Sequence, residues 1–126
     1  MRSWLSALLL VAACGTDVRP VEDGDDTAPI EPVSEDACET SYLSYDNFGA
    51  PFVINWCRGC HSSAIPQGQR QKAPMTVNFD TADDVRNWAE RIEARAASVT
   101  PDMPPAGGPS EAERALLREW IECGTR

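Results

Sequence analysis

The sequence is poor in histidine and in basic residues. His61 is the only histidine and Lys72 the only lysine in a chain of 126 residues. Lysine and arginine total 11 against 20 acidic residues, so the formal net charge is −9. Such a chain lacks the cationic surface on which nucleic-acid binding depends, and we expect no nucleic-acid partner. The apolar run over residues 4–13 is too short to cross a bilayer as a helix.

The N-terminus has the features of an export signal. Arg2 precedes the apolar run, which predicts a signal peptide over residues 1–13. The run ends in Val11-Ala12-Ala13-Cys14, which resembles the lipobox of bacterial lipoproteins. This resemblance implies a lipid on Cys14, anchorage of the protein in the bacterial cell envelope or periplasm, and no membrane span. The alternative is an ordinary signal with a chance cysteine. Gly15, in place of an aspartate that signals inner-membrane retention in some bacteria, favours the outer membrane.

An acidic segment follows the predicted lipidated cysteine. Residues 15–36 contain eight acidic residues and one arginine, a net charge of −7, together with three prolines. Segments with this charge and so few large apolar residues do not bury enough surface to fold. Residues 14–36 are therefore predicted to be a disordered tether, which leaves residues 37–126 as the folded domain.

The five cysteines can be divided by role. An odd count is unusual in an exported protein, but it resolves if Cys14 carries lipid. Cys57 and Cys60 belong to a motif considered below. Cys38 and Cys123 remain at the two ends of the folded part, and an oxidising compartment favours a disulfide between them.

Helical patterns dominate the folded part and predict an all-α domain. Ser110 and Glu113 form a capping box before an apolar stripe, and Gly124 is placed to end that helix. A second helix is predicted from residue 80 or 81 to about residue 98. A third is predicted from about Pro51 into the cysteine motif, although residues 52–54 also suit a short strand.

The stretch WCRGCH at residues 56–61 admits three chemical interpretations. A thioredoxin-like dithiol needs a βαβ unit around the motif, for which the chain has no pattern. A structural zinc site needs four ligands, and only Cys123 remains as the fourth. The spacing fits c-type haem best. Residues three apart on a helical turn lie on one face, so Cys57 and Cys60 can form thioethers with one porphyrin while His61 binds the iron.

The sixth iron ligand cannot be a second histidine. Met75, Met103, Lys72, water or an open site are the remaining choices. Met75 lies in an alternating segment that predicts apolar side chains laid on the core. Met103 lies between Pro101 and Pro104, whose rings reduce the freedom lost when a ligand is held. We therefore predict Met103.

The order of these features closely resembles that of class I, single-haem cytochrome c domains. A helix enters CxxCH, a middle helix and a Met-Pro loop follow, and a C-terminal helix ends the domain. The pattern is most similar to short bacterial cytochrome-like lipoproteins with CxxCH, MPP and a final L..W(I/L)..G, over about residues 38–126. Here those residues are Cys57, Cys60, His61, Met103, Pro104, Pro105, Leu117, Trp120, Ile121 and Gly124.

The resemblance implies a class I cytochrome c-like fold of three or four helices around one covalent haem c. It implies one-electron transfer with redox partner proteins, and neither an enzyme nor a small-molecule substrate. In related domains a proline carbonyl holds the ligating histidine, and Pro66 and Pro74 are both candidates here. Two other functions remain open: a haem-based ligand sensor with an open sixth site, and a structural lipoprotein without haem, held by the disulfide.

Three further side-chain roles are expected within the domain. Trp88 and Trp120 suit the core, although either could contact the porphyrin. The helix over residues 80–98 carries three arginines that could pair with haem propionates, but solvated side chains are the simpler expectation. They are Arg86, Arg91 and Arg95.

Overall fold

A computed structural model describes residues 29–126 of the chain. The predicted signal peptide, Cys14 and the tether up to residue 28 lie outside the described residues. Residues 29–126 form an all-α structure without strands, as predicted. Its α-helices are α1 (Glu35–Thr40), α2 (Ala50–Trp56), α3 (Ala82–Asn87), α4 (Ala89–Ile92) and α5 (Glu111–Glu122). Wider π-helical turns lie at Tyr45–Gly49 and Glu93–Ala97, and a short 3-10 turn at Gln67–Gln69.

The helix that enters the cysteine motif begins earlier than the sequence suggests. The Ser44 hydroxyl accepts a hydrogen bond from the backbone N–H of Asn47, and the Asn47 side-chain oxygen accepts one from the backbone N–H of Ser44. This capping box starts the π-helical turn. That turn runs directly into α2, with Pro51 in the first turn of α2. The alternative of a strand over residues 52–54 is therefore wrong. Pro51 correctly predicts the start of the α-helix, but it gives no indication of the π-helical turn that precedes it.

The middle helical segment is interrupted, where the sequence predicts one continuous helix. Thr81 and Asp84 form a capping box at its start. At Trp88 the backbone leaves helical geometry (φ −109°, ψ 6°), and α4 begins immediately after it. The segment then widens into the π-helical turn that ends at Ala97. The apolar stripe predicts helix throughout, because a single non-helical residue leaves the spacing of the buried residues nearly unchanged.

The C-terminal helix α5 follows the prediction closely. Ser110 caps it and shares a capping box with Glu113. Gly124, with φ of +89°, lies directly beyond the C-cap residue Cys123. This backbone conformation favours glycine over other residues.

A disulfide joins the two ends of the described domain. Cys38 in α1 and Cys123 at the end of α5 are bonded, with Cα atoms 5.2 Å apart. This is the pair that the cysteine count predicts, and it indicates maturation in an oxidising, extracytoplasmic compartment. None of the helices between residues 29 and 126 has the length and apolar character needed to cross a bilayer.

The core lies where the segment around α2 crosses α5. Trp120 is only 1% exposed, and its indole ring packs directly against the backbone of Gly49. A Cβ on Gly49 would lie 2.5 Å from two carbon atoms of that ring. The absence of a side chain at Gly49 therefore allows the Trp120 ring to lie directly against the backbone. The buried apolar residues are Leu43, Phe52, Val53, Phe79, Val85, Ile92, Ala96, Ala97, Leu117, Trp120 and Ile121.

We expect Gly49→Ala to lower the free energy of unfolding by about 3 kcal/mol, at the upper end of the usual cost of overpacking. The added methyl group forces the indole of Trp120 away from the crossing. Urea unfolding monitored by circular dichroism measures the loss. Gly68→Ala is the matched control, because a Cβ there meets no atom within 4 Å. Equal effects of the two substitutions would contradict the packing argument.

Candidate functional site

A cavity of about 440 Å³ opens beside the cysteine motif. This volume lies within the range of about 300 to 1,000 Å³ that is usual for cofactor and ligand sites. Its walls come from the end of α2, the loop over residues 70–79, the segment from Trp88 to Ala96, and the loop around Met103. Cys57, Cys60, His61 and Met103 all line it. The tertiary structure thus brings to one cavity the four residues that the sequence analysis predicts as haem ligands and attachment points.

A tight turn arranges the motif. The backbone N–H groups of Cys60 and His61 both donate to the carbonyl of Cys57, at 3.1 and 2.9 Å. The N–H of Cys57 in turn donates to Val53, in the last turn of α2. The two cysteines and the histidine are therefore attached to the end of a packed helix, and all three reach the same cavity.

The His61 ring is held on two sides. Its Nδ1 lies 3.1 Å from the carbonyl oxygen of Val77, and the ring stacks on Phe79 with centroids 4.8 Å apart. A carbonyl only accepts hydrogen bonds, so Nδ1 carries the proton and Nε2 keeps its lone pair. Burial, with a contribution from the charge of Arg70, lowers the pKa of His61 and favours the neutral ring. A neutral imidazole oriented by a carbonyl is the usual state of a metal-binding histidine.

The carbonyl that holds His61 belongs to neither proline suggested by the resemblance. Pro74 points its carbonyl to the side chain of Arg70, and the carbonyl of Pro66 caps the short 3-10 turn. Val77 takes the role because the segment after Pro74 runs alongside the motif. The N–H of Phe79 donates to the His61 carbonyl at 2.9 Å and fixes this alignment.

The motif cysteines are free thiols, although the domain carries a disulfide elsewhere. Burial raises the pKa of the Cys57 thiol to about 12, so the thiolate is almost absent at neutral pH. Redox dithiols and metal-binding thiols work as thiolates, and burial disfavours that form of Cys57.

Asp80 braces the turn that follows the motif. The hydroxyl of Ser62, and then the backbone N–H and hydroxyl of Ser63, hold the pKa of Asp80 at about 2. The Ser63 N–H lies 2.8 Å from the carboxylate, and the Arg58 guanidinium lies 3.4 Å away. Asp80 therefore connects the start of the middle helical segment to the cysteine motif.

We expect Asp80→Asn to lower the free energy of unfolding by roughly 1 kcal/mol at neutral pH, a figure reduced for partial exposure of the carboxylate. Because the folded-state pKa is lowered, the wild-type advantage is complete above about pH 4 and disappears as the pH falls through about 2. Urea titrations across this range test it. Asp83→Asn is the control, since Asp83 is exposed and forms an ion pair only with Arg86. A gap between wild type and Asp80→Asn that is as large at pH 2 as at neutral pH would contradict the argument.

Hydrogen bonds to both neighbouring helical segments hold the Met103 loop. The N–H groups of Asp102 and Met103 donate to the carbonyl of Arg95 at 3.0 and 2.9 Å. The Arg114 guanidinium donates to the carbonyl of Met103 at 2.9 Å. Met103 packs partly buried against the core, whereas Met75 is 46% exposed and is not among the cavity-lining residues.

The cavity wall is cationic in a chain of net charge −9. Arg70, Lys72, Arg91 and Arg95 line it, and no aspartate or glutamate is among the lining residues. Arg86 instead pairs with Asp83 and does not line the cavity. Sequence patterns missed Arg70, because one arginine in a polar loop has no periodicity to distinguish it from a solvated residue.

Trp88 and Trp120 have different surroundings. Trp120 is a core residue against Gly49, and Trp88 lines the cavity. Trp56, which directly precedes the motif, also lines the cavity. Its indole N–H donates to the Glu113 carboxylate, with 3.4 Å between Nε1 and Oε1. The cavity therefore has two tryptophans in its wall, and the helical stripe alone could not separate Trp88 from Trp120.

The competing interpretations of the motif fit this structure less well. Residues 29–126 contain no strand, so the sheet that a thioredoxin-like dithiol needs is missing from the described domain. Cys123 is bonded to Cys38 and cannot serve as a fourth zinc ligand.

Comparison of the chain with models of protein families, with curated protein sequences and with solved structures finds no match. The functional proposal therefore rests on the contacts, burial and charges around the cavity, together with the motif.

Proposed function

We propose that this protein is an extracytoplasmic, membrane-anchored c-type cytochrome of class I type that carries one haem c and transfers single electrons. The observation that carries the proposal is the convergence of Cys57, Cys60, His61 and Met103 on one cavity of about 440 Å³. The four residues are separated by up to 46 positions in the chain, and no local rule brings Met103 to the motif.

The residues of the cavity fit the chemistry of a covalent haem. Cys57 and Cys60 supply two thiols for thioether bonds, and His61 supplies an Nε2 lone pair. Apolar side chains that line the cavity, such as Trp88 and Ile92, can pack against the flat faces of a porphyrin. The exposed lining cations Lys72 and Arg91 complement the two carboxylates of a haem, whereas Arg70 is hydrogen-bonded to backbone carbonyls and Arg95 is paired with Asp102.

When bound, the haem iron supplies the one-electron couple between Fe(III) and Fe(II). The chain orients His61 through the Val77 carbonyl and holds Met103 through Arg95 and Arg114. If His61 and Met103 both bound the iron, no coordination position would remain for a substrate. We therefore propose an electron carrier between redox partner proteins, and not an enzyme.

Two features of the chain support the proposed location, the disulfide and the lipobox-like sequence. The disulfide supports folding outside the cytoplasm. The lipobox-like sequence before Cys14 supports a lipid anchor in a bacterial envelope membrane, with the acidic segment as tether. A carrier on such a tether reaches partners near one membrane while its haem domain stays in the aqueous phase.

Expression together with the cytochrome maturation machinery tests the proposal directly. A pyridine haemochrome spectrum should have the form of a haem with two thioether bonds, and the intact mass should exceed that of the chain by one haem. A colourless protein of unmodified mass would overturn the proposal and favour the structural lipoprotein.

We expect Met103→Ala to remove the weak far-red absorption that an Fe(III)–methionine sulfur bond produces. Met75→Leu, the matched control, should retain it, because Met75 is exposed and is not among the residues that line the cavity. Oxidised-state spectra of the two variants at equal haem content are the measurement. The reverse pattern would assign the ligand to Met75, and absence of the band in the wild type would favour a sensor with an open sixth site.

A further inference from the structure

Arg70 is the one charged side chain in the described domain that is completely buried, with 0% exposure. Arginine is rarely buried without a paired anion. No carboxylate of residues 29–126 lies within ion-pair distance of it. Its guanidinium donates instead to backbone carbonyls: Ser62, Ala73 at 3.3 Å, Pro74 at 2.7 Å and Val77 at 2.9 Å. A full positive charge therefore stands in the cavity wall without a neutralising side chain.

The loop after Arg70 is built around this side chain. Gln71 and Lys72 both have positive φ angles, 49° and 73°, in the left-handed region that residues other than glycine rarely adopt. Such a turn persists only where the surroundings enforce it. The bonds from Arg70 to Ala73 and Pro74, on the far side of the turn, supply that constraint.

One carbonyl oxygen connects Arg70 to the histidine. Val77 accepts both the Nδ1–H of His61, at 3.1 Å, and an Nη2–H of Arg70, at 2.9 Å. A carbonyl has two lone pairs and can accept both bonds. The cationic donor, however, draws electron density from the oxygen and leaves a weaker acceptor for His61. Since a strong acceptor at Nδ1 makes an imidazole a more basic ligand, sharing with Arg70 makes His61 a less basic one.

We propose that Arg70 is a positioning residue that raises the reduction potential of the site, an inference that rests on the proposed haem at His61. Two effects act in the same direction. A buried positive charge opposes the extra charge of Fe(III) in a medium of low dielectric constant. A less basic His61 stabilises Fe(III) less. Both favour Fe(II), and the levers are those by which proteins usually tune haem iron, namely burial and hydrogen bonding beyond the ligands.

Equilibrium redox titration of the haem-loaded protein tests the inference. Arg70→Gln removes the charge, and we expect the Fe(II)/Fe(III) ratio at a fixed ambient potential to fall about tenfold, equivalent to about 59 mV for one electron. Arg118→Gln is the matched control. Arg118 is a partly buried arginine that also donates to a helix-end carbonyl, that of Ala97, but it does not line the cavity. A ratio unchanged from the control, or raised, overturns the inference.

A second variant covers the case in which Arg70→Gln does not fold. Arg70→Lys keeps the charge but loses the fork that reaches several carbonyls at once. Because His61 is the only histidine, ¹⁵N-histidine labelling gives one ring system in the reduced protein. We expect its Nδ1–H resonance to move downfield in Arg70→Lys as Val77 becomes a stronger acceptor, with a fall in the Fe(II)/Fe(III) ratio smaller than tenfold. An unmoved resonance together with an unchanged ratio overturns the inference.

The two proposals fail in different ways. A wild-type protein without covalent haem overturns the proposed function, and this inference with it. A normal haem content in every variant, with equal reduction potentials, overturns only the role of Arg70.

Discussion

We expect the double variant Cys57→Ser/Cys60→Ser to carry no covalently bound haem, a complete loss of haem stain after denaturing electrophoresis. Serine hydroxyls do not replace thiols in thioether formation, while the polar contacts of the motif turn are backbone bonds that the substitutions leave intact. Folding should therefore survive, and circular dichroism of the double variant checks this.

The two single variants separate attachment from folding. Each keeps one thiol on the cavity and should retain haem through one thioether, with a shifted haemochrome spectrum. Haem that still resists denaturation in the double variant would show that the motif is not the attachment site. Equal loss in both single variants, with the helical signal also lost, would point to misfolding.

Removal of the disulfide should have the largest effect on stability. We expect Cys38→Ser/Cys123→Ser to lower the free energy of unfolding by about 4 kcal/mol, an upper figure from the chain-entropy model. The bond spans 85 positions and so restricts nearly the whole described domain when it unfolds. Urea unfolding without reductant measures the change.

Two observations check that this effect comes from the bond. The visible spectrum of the folded double variant should match the wild type, because neither cysteine lines the cavity. Thiol counting on the denatured wild-type protein should find two more thiols after reduction than before. A stability loss below about 1 kcal/mol would mean that strain in the folded state offsets the restriction of the unfolded chain.

Several features of the site could be predicted because they depend on few neighbouring residues. The capping box at Ser110 involves a partner three positions away. The cysteine spacing places both thiols on one turn for the same reason. The capping box of Ser44 and Asn47 was missed although it is equally local, since asparagine at the third position is a weaker signal than glutamate or glutamine.

Other features required the folded chain. Val77, and not a proline, holds His61 because residues 77–79 fold back beside the motif. Val77 is 16 positions away from His61 in the sequence. The break at Trp88 and the close approach of Gly49 to Trp120 likewise depend on contacts between distant segments. The spacing of apolar residues predicts which positions are buried, but it does not predict which distant segments contact one another.

The sequence alone determined the helical class, the capping box at Ser110 and the disulfide partners, because each depends on local hydrogen bonds or on a small set of cysteines. Only the tertiary structure decided that Met103 lines the cavity and Met75 does not, and that Arg70 is buried against the acceptor of His61. The physical reason is that burial and shared acceptors arise from long-range packing. A lone methionine or arginine in a loop has the same local pattern whether it faces solvent or a cavity.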